Sequence, residues 1–145
     1  MNTATILNAL KAQLVADTTL ASYVKKYFLG VREDITNFPA IVIEPLLNQE
    51  GDEIYTRQEM NFRVYVIAFI KVEDPDKHLV GDANVKGILD VENDIKKAIS
   101  SDRTLGGTCY HTRILQTLFE FVDFPLRSVK MEVEMYFRQN TTTRI

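Results

Sequence analysis

The stretch that decides the fold runs from Glu59 to Val72 and reads EMNFRVYVIAFIKV. Its apolar side chains recur at every second position: Met60, Phe62, Val64, Val66, Ala68, Ile70 and Val72. Successive side chains of a β-strand point to opposite faces, so this period predicts one long strand with a continuous apolar face. The other face begins polar at Asn61 and Arg63 and becomes apolar at Ile67 and Phe69. The end of this strand is therefore predicted to be apolar on both faces.

A second alternating segment, Ser128–Gln139, lies near the C-terminus. One set of side chains is apolar: Val129, Met131, Val133, Met135 and Phe137. The alternate set is polar: Lys130, Glu132, Glu134, Tyr136 and Arg138. A slip of one residue would expose the whole apolar set to water, so this pattern fixes the register of a strand.

The other elements follow from periodicity and from turn residues. In chain order they are a helix around Ile6–Val15, a short helical turn capped by Asp17 or Thr18, a strand at Phe38–Pro45, an exposed loop or hairpin tip at Leu47–Arg57, a helix from about Gly81 to Ile99, and a strand at Thr108–Val122. Proline lacks an amide donor, so Pro39 and Pro45 are expected at strand ends.

This order of elements predicts an α+β fold with a largely antiparallel, four-stranded sheet and helices packed on one face. The length of 145 residues fits one domain, assigned to residues 1–139, with a flexible C-terminal tail at residues 140–145.

Composition excludes several classes of protein. Hydrophobic residues make up 46% and charged residues 26%, which is ordinary for a globular chain. A formal charge of -3 argues against a generally basic nucleic-acid binder, and one cysteine cannot form an internal disulfide. No apolar run approaches the ~20 residues that a membrane helix needs, and residues 1–5 lack a signal-peptide pattern. We expect no membrane association.

The predicted sheet has more apolar surface than two helices can cover. Ile67 and Phe69 lie on the minor face of the long strand, and residues 113–122 have apolar side chains in both phases. A strand with one wet face should alternate instead. A neighbouring copy, the N-terminal helix, or the chain's own loops could cover this surface; large exposed apolar patches are unusual on monomers.

Signatures of chemistry are scarce. Cys109 and His111 would share a strand face and could form a thiol–imidazole pair, but no local motif supports this, and a buried core cysteine is the preferred interpretation. His78 stands alone in a charged loop. Two histidines and one cysteine at these spacings do not match a zinc site.

The remaining candidate motifs also favour structural roles. Gly106-Gly107 lacks the spacing of a phosphate loop and is interpreted as a turn. The acidic runs, which comprise Glu50, Asp52, Glu53, Glu73, Asp74 and Asp76, do not match a calcium loop. We therefore expect no enzyme activity, no catalytic residues, no cofactor and no metal.

Three phrases of the sequence resemble a known family. They are Thr19–Val24 (TLASYV), Phe38–Pro45 (FPAIVIEP) and Leu105–Cys109 (LGGTC), set within the element order described above. Together they resemble the tail terminator proteins of tailed bacteriophages, which are also called tail-completion or minor tail proteins. The resemblance covers nearly the whole chain.

The resemblance implies a virion structural protein of the tail or neck, assembled in the cytoplasm of a host bacterium. Such proteins form a ring, usually a hexamer, that ends polymerisation of the tail tube and docks the head connector or stopper. Genomic DNA would pass through the channel without sequence-specific binding. The alternatives are another neck or head–tail joining protein, or a small α+β module that binds a ligand or peptide.

By the same resemblance, two surfaces are candidates for contacts with another subunit or with the tube. One is the projecting segment, represented by Asn48, Gln49, Glu50, Asp52, Glu53 and Arg57. The other is the sheet face, represented by Ile67, Phe69, Lys130, Glu132, Glu134 and Arg138.

Overall fold

The computed structural model describes residues 2–30, 35–54, 57–72, 79–82, 86–121 and 125–140. In chain order the elements are α1 (Thr3–Ala16), α2 (Thr18–Ala21), β1 (Lys26–Leu29), β2 (Ala40–Ile54), β3 (Arg57–Lys71), α3 (Ile88–Ser100), β4 (His111–Phe121) and β5 (Leu126–Asn140). The strands form one sheet in the order β1-β2-β3-β5-β4. The α+β class is confirmed, with five strands in a mixed sheet instead of four.

Strand β3 lies at the centre of the sheet and is antiparallel to both neighbours. Its register with β5 is unbroken from Arg57 opposite Asn140 to Lys71 opposite Leu126. Because β3 has a hydrogen-bonded neighbour on each side, the burial of its two faces depends on what packs above and below the sheet. The even-numbered side chains from Met60 to Ile70 are buried in the core, as the alternation predicts.

The helices pack on one face of this sheet. The buried helical side chains are Ile6, Leu10, Leu14, Leu20, Ile88, Val91, Ile95, Ala98 and Ile99, in one cluster with the inward side chains of the strands. Each fully buried aliphatic side chain of this cluster stabilises the fold by roughly 1.5–3 kcal/mol. The opposite surface is called the helix-free face below. It carries Ala40, Val42, Glu44, Leu47 and Gln49 of β2, the odd-numbered residues Asn61–Phe69, the even-numbered residues Ser128–Arg138, and Arg113, Gln116, Leu118 and Glu120 of β4.

Side-chain caps set the helix boundaries. Asp17 Oδ1 accepts a hydrogen bond from the Leu20 amide at 2.9 Å, so Asp17 rather than Thr18 caps α2. Asp90 Oδ2 accepts from the amides of Gly81 and Gly87, both at 3.0 Å. The carboxylate ties the preceding segment to the first turn of α3. The predicted start near Gly81 is therefore wrong, and the helix begins at Ile88.

Three expectations about the strands need correction, and one open alternative is resolved. Strand β1 was missed, because Tyr27–Leu29 is a short apolar run without alternation and its parallel partner, β2, lies more than ten residues away. Pro45 lies inside β2, beside an irregularity in the register between Pro45 and Leu47, and not at a strand end. Of the segment Leu47–Arg57, residues 47–54 lie in β2 and Arg57 lies in β3 opposite Ile54, so the long hairpin, one of the two stated possibilities, is correct. The last prediction concerns β4, which begins at His111 rather than Thr108.

The tail predicted for residues 140–145 falls outside the described residues, except that Asn140 is the last residue of β5.

Gln13 joins α1 to the end of α3. Its Nε2 donates to the carbonyl oxygens of Ala98, Ile99 and Asp102 at 2.9, 3.0 and 3.1 Å. The last carbonyls of a helix have no partner within the helix, so one amide group satisfies several of them.

We expect Gln13→Ala to lower the free energy of unfolding by about 1 kcal/mol. The Ile99 carbonyl loses the donor described above, whereas the Ala98 and Asp102 carbonyls still accept from Ser101 Oγ and from the Leu105 amide. Gln13→Glu should cost more, because a carboxylate cannot donate and meets the negative end of α3. Urea titration measures both changes. Asn8→Ala removes an exposed amide from the same helix and should leave stability unchanged; equal stability of all three variants and the wild type would contradict this role of Gln13.

Candidate interaction surface

One half of the helix-free face is apolar. Val42 and Ile67 lie opposite each other on β2 and β3, and the same row continues through Lys130 to Leu118 on β4. Val42 and Ile67 are buried, whereas Leu118 is 41% exposed. The apolar half thus has a covered centre and an exposed border on β4.

Two predicted interface residues differ in what they can offer a partner. Ile67 is only 6% exposed, because Val42 and the stem of Lys130 flank it in the register. It contributes to the packing of its own chain and has little area left for another. Phe69 is half-buried, so part of its ring remains on the surface.

Strand β4 is exposed on both sides at its C-terminal half. Leu118 and Phe119 are adjacent, so their side chains point to opposite faces of the sheet, and both are about two-fifths exposed. The rest of the chain therefore covers each of them only in part. This is the apolar surplus that the two-phase pattern of residues 113–122 predicts.

The other half of the helix-free face is charged and centres on Glu134. Its Oε2 lies 3.0 Å from Arg63 Nη2 and accepts a hydrogen bond from Asn61 Nδ2 at 2.8 Å. Its Oε1 lies 3.1 Å from Arg113 Nη2. Glu134 is 1% exposed although no helix covers it, because the long side chains of its partners close over it. One carboxylate is shared by two guanidinium groups, which leaves a net positive charge.

The pKa of Glu134 reflects this arrangement. Burial alone would raise the pKa, but hydrogen bonds from Tyr136 and Asn61 and the charges of Arg113 and Arg63 outweigh it, so the pKa is lowered. The side chain was predicted to point outward and to be able to pair across subunits. In the structure its charge is already neutralised within the chain.

We expect this lowered pKa to appear in the pH dependence of stability. A group whose folded-state pKa is depressed stabilises the fold above its unfolded-state pKa, and the stabilisation is lost as the pH falls through the folded-state value. Glu134→Gln should therefore lower the unfolding free energy at pH 7 by about 1–2 kcal/mol. The difference in unfolding free energy between this variant and the wild type should become smaller below pH ~4. Urea titrations at several pH values measure it.

Glu120→Gln is the matched control for this prediction. Glu120 is 48% exposed and its Oε1 lies 3.9 Å from Lys130 Nζ, so its loss should change stability by less than ~0.5 kcal/mol at any pH. The assigned ion pairs would be contradicted if Glu134→Gln and the wild type differed in unfolding free energy by the same amount at every pH.

A second network of polar side chains lies beside the group around Glu134. Glu59 accepts hydrogen bonds from Arg138 Nε and from the Tyr110 hydroxyl, both at 2.6 Å. Burial and the hydrogen bond to Glu59 raise the pKa of Tyr110 to about 12. The rings of Tyr110 and Tyr136 stack with centroids 6.2 Å apart. Arg138, predicted as a cross-subunit partner, is thus engaged within its own chain.

The remaining predicted residues lie as follows. Asn48, Gln49, Glu50, Glu53 and Arg57 are exposed along the β2–β3 hairpin, and Asp52 lies in β2 with its side chain outside the described part. Lys130 Nζ lies 4.9 Å from the ring centroid of Tyr65. Glu132 is half-buried opposite Tyr65. The hairpin group and the sheet group therefore belong to one continuous sheet.

Sequence reasoning did not find the partners of Glu134. Arg63, Glu134 and Arg113 lie in one row across β3, β5 and β4. In the sequence these charges lie far apart on three separate strands, and only the pairing of the strands brings them together. Once the order of strands is known, the row follows from the alternation.

Cys109 lies in the core and not on a strand beside His111. It precedes β4, its Sγ is 3.4 Å from Thr112 Oγ1, and burial raises the pKa of its thiol. A raised pKa disfavours the thiolate, which is the reactive form. The preferred interpretation of a buried core cysteine is confirmed.

The Gly106-Gly107 turn is also confirmed. Leu105, Gly106 and Gly107 have φ values of 48°, 68° and 84°, in the left-handed region that glycine tolerates best. Asp102 stabilises the turn by accepting hydrogen bonds from the amides of Thr104 and Gly106.

Other candidate groups give no site in the described part of the chain. His78, Glu73, Asp74 and Asp76 lie outside the described residues. Within the described ranges, no three His, Cys, Asp or Glu side chains are grouped so as to hold a metal ion. A search of the same ranges finds no helix with the length and hydropathy of a membrane span.

Comparison with known proteins gives no family and a distant structural similarity. No family model matches the sequence, and no curated protein matches it. The chain is similar to a chain in a solved structure described as "Virion of native gene transfer agent (GTA) particle". The two share 13% identity with a TM-score of 0.45, over 92% of this chain and 95% of the other. At this score and identity the likeness carries no conclusion about what the protein does.

Proposed function

We propose that this chain is a structural protein of a phage-like virion that forms a ring at the head-proximal end of a tail tube. There it would stop polymerisation of the tube and provide the surface on which the head connector or stopper docks. The proposal starts from the sequence resemblance to tail terminator proteins, which rests on three short phrases and on the order of elements. The order of two helices, a hairpin, a helix and two further strands in the structure is compatible with it.

The observation that carries the proposal is the incomplete cover of the sheet. The three helices of the described residues pack on one face, and exposed apolar side chains border the other at Leu47 and Leu118. Burying them against another subunit would be favourable at about 25 cal/mol for each Å² of apolar surface removed from water. An assembly subunit needs such surface, whereas a monomeric module would be expected to cover it.

The absence of a catalytic role is part of the same proposal. The pair that sequence analysis considered, Cys109 and His111, does not form a nucleophile and base, because the cysteine is buried and its pKa is raised. In the proposed ring, genomic DNA would cross the channel without sequence-specific contacts. The formal charge of -3 on each chain is consistent with weak DNA attraction.

Mass photometry over a range of concentrations tests the proposal. We expect a closed particle whose mass is a fixed multiple of 16.6 kDa, about 100 kDa for six copies. Negative-stain images should then show rings, and adding purified rings to a polymerising tail tube protein should shorten the tubes. A chain that stays monomeric at high concentration would exclude the ring and favour a small ligand- or peptide-binding module.

A further inference from the structure

The side chain of Arg113 on β4 has hydrogen-bond donors that the described part of its own chain does not use. It is 54% exposed, and its Nη2 lies 3.1 Å from Glu134 Oε1. A guanidinium group carries five N–H donors. Among the described residues, none accepts a hydrogen bond from Arg113 Nε or Nη1. Arg138 differs, because its Nε donates to Glu59 Oε1 at 2.6 Å. Arg113 is therefore able to bind a further acceptor.

Glu134 does not compensate the charge of Arg113 fully, because its carboxylate is shared with side chains of β3. Its Oε2 accepts hydrogen bonds from Asn61 Nδ2 at 2.8 Å and from Arg63 Nε at 3.1 Å. The side chain is 1% exposed, so it cannot turn towards a new donor without leaving this group. Two guanidinium groups and one carboxylate leave one surplus positive charge. Arg113 carries it on the surface, because it is the most exposed of the three.

An exposed leucine continues the line of these side chains. Leu47, Arg63, Glu134 and Arg113 are paired across β2, β3, β5 and β4 on the helix-free face, and we call them the arginine row. Leu47 is 43% exposed. Neighbouring strands are ~4.8 Å apart, so the row is about 14 Å long, which about five residues of an extended segment span. The row offers an apolar contact at one end and a cation at the other.

The charges around the arginine row favour a single carboxylate over a nucleic acid. Glu132 lies two residues before Glu134 on the same face, and Glu120 on β4 is 48% exposed. A nucleic acid carries a phosphate at every nucleotide and would meet these carboxylates as well as the arginines. A protein segment can place one carboxylate on the guanidinium groups, whose planar geometry it matches, and an apolar side chain on Leu47.

We propose that the arginine row binds an acidic segment of a partner protein, with one carboxylate of the segment held by Arg113 and Arg63. The negative charge of this carboxylate compensates the surplus charge of the row. Arginine side chains often supply a large share of the binding energy of an interface. The inference goes beyond the proposed ring and does not depend on it, because the whole row lies within one subunit.

Saturation-transfer difference NMR on the full chain tests the proposal. The probes are the peptide acetyl-LTETL-amide and its matched counterpart acetyl-LTQTL-amide, which differ in one charge only. The signal is read from the peptide, so the measurement works for a single subunit and for a large particle alike. We expect the glutamate peptide to bind roughly ten-fold more tightly than the glutamine peptide, because its hydrogen bonds to the guanidinium groups are formed between opposite charges.

Three variants assign the binding to the arginine row. Arg113→Gln should weaken binding of the glutamate peptide roughly ten-fold, because the surplus charge is removed. Glu134→Gln leaves two guanidinium groups without a carboxylate and should tighten binding about three-fold, an increase that loss of folding would not produce. Arg138→Gln is the matched control. Arg138 is 58% exposed on the same face but paired one-to-one with Glu59, so binding should stay within about two-fold of the wild type.

Equal losses in Arg113→Gln and Arg138→Gln would overturn the proposal, because any surface cation would then suffice. Equal binding of the two peptides, or no binding at about 10 mM, would overturn it as well. Tighter binding of inorganic phosphate or of a single-stranded oligonucleotide than of the glutamate peptide would replace the acidic segment by a phosphate ligand. Binding of the glutamate peptide by a chain that forms no rings would support the site and count against the proposed function alone.

Discussion

A Leu118→Glu variant is expected to stay folded and to associate with other copies roughly thirty-fold more weakly than the wild type. Leu118 is 41% exposed on the outermost strand, so the isolated chain loses little when it is replaced. Burying a leucine in a contact contributes about 2 kcal/mol, and each 1.4 kcal/mol is a factor of ten in affinity. Mass photometry over a concentration series measures the shift, and circular dichroism with urea titration measures the fold.

The control for this variant is Leu89→Glu. Leu89 is 39% exposed on α3, on the helical side of the molecule, so the two changes match in chemistry and in exposure. We expect Leu89→Glu to assemble normally. Equal loss of assembly in both variants would mean that added charge alone prevents association, and unfolding of Leu118→Glu would place this leucine in the core of the subunit.

A Gly87→Ala variant is expected to lose about 3 kcal/mol of unfolding free energy, with a melting temperature lower by about 10 °C. A Cβ at this position would lie 2.7 Å from the Gly81 nitrogen and still closer to the Leu79 carbonyl. Both are backbone atoms, so a change of side-chain rotamer cannot relieve the clash. The backbone at Leu79 and Gly81, which Asp90 holds through the Gly81 amide, would have to move. Scanning calorimetry and urea titration measure the two quantities.

Gly106→Ala separates this effect from backbone strain. Gly106 has a φ of +68° and nothing within 4 Å of an added Cβ, so its cost is the left-handed conformation alone, about 1 kcal/mol. Gly87 has a φ of -80°, which any residue adopts, so its cost is steric alone. A smaller loss for Gly87→Ala than for Gly106→Ala would show that the segment before α3 can shift without cost.

The sequence predicts well those strands that have one face packed against the hydrophobic core. The alternation of Met60–Ile70 and of Val129–Phe137 predicts β3 and β5, because on both strands one set of side chains packs in the core against the helices and most of the alternate set is polar. The distal part of β2 has no such signal. Its side chains from Pro45 to Glu50 are all exposed, so its sequence is polar like that of a loop.

The parts that were missed depend on contacts between residues distant in the chain. The start of α3 depends on Asp90 reaching back to Gly81, a hydrogen bond that periodicity does not encode. The charged row of Arg63, Glu134 and Arg113 depends on the order of three strands. The apolar surplus on β4 is predicted, because apolar side chains at both odd and even positions are visible in the sequence of that one strand.

The position of Cys109 makes the chain suitable for measuring rare openings of its core. It supplies the only thiol among the 145 residues and lies in the cluster that joins the helices to the sheet. A thiol reagent can reach it only when this part of the structure opens, so the labelling rate without denaturant reports the free energy of that fluctuation. Comparing the labelling rates of free subunits and assembled particles would show how far assembly suppresses this local opening.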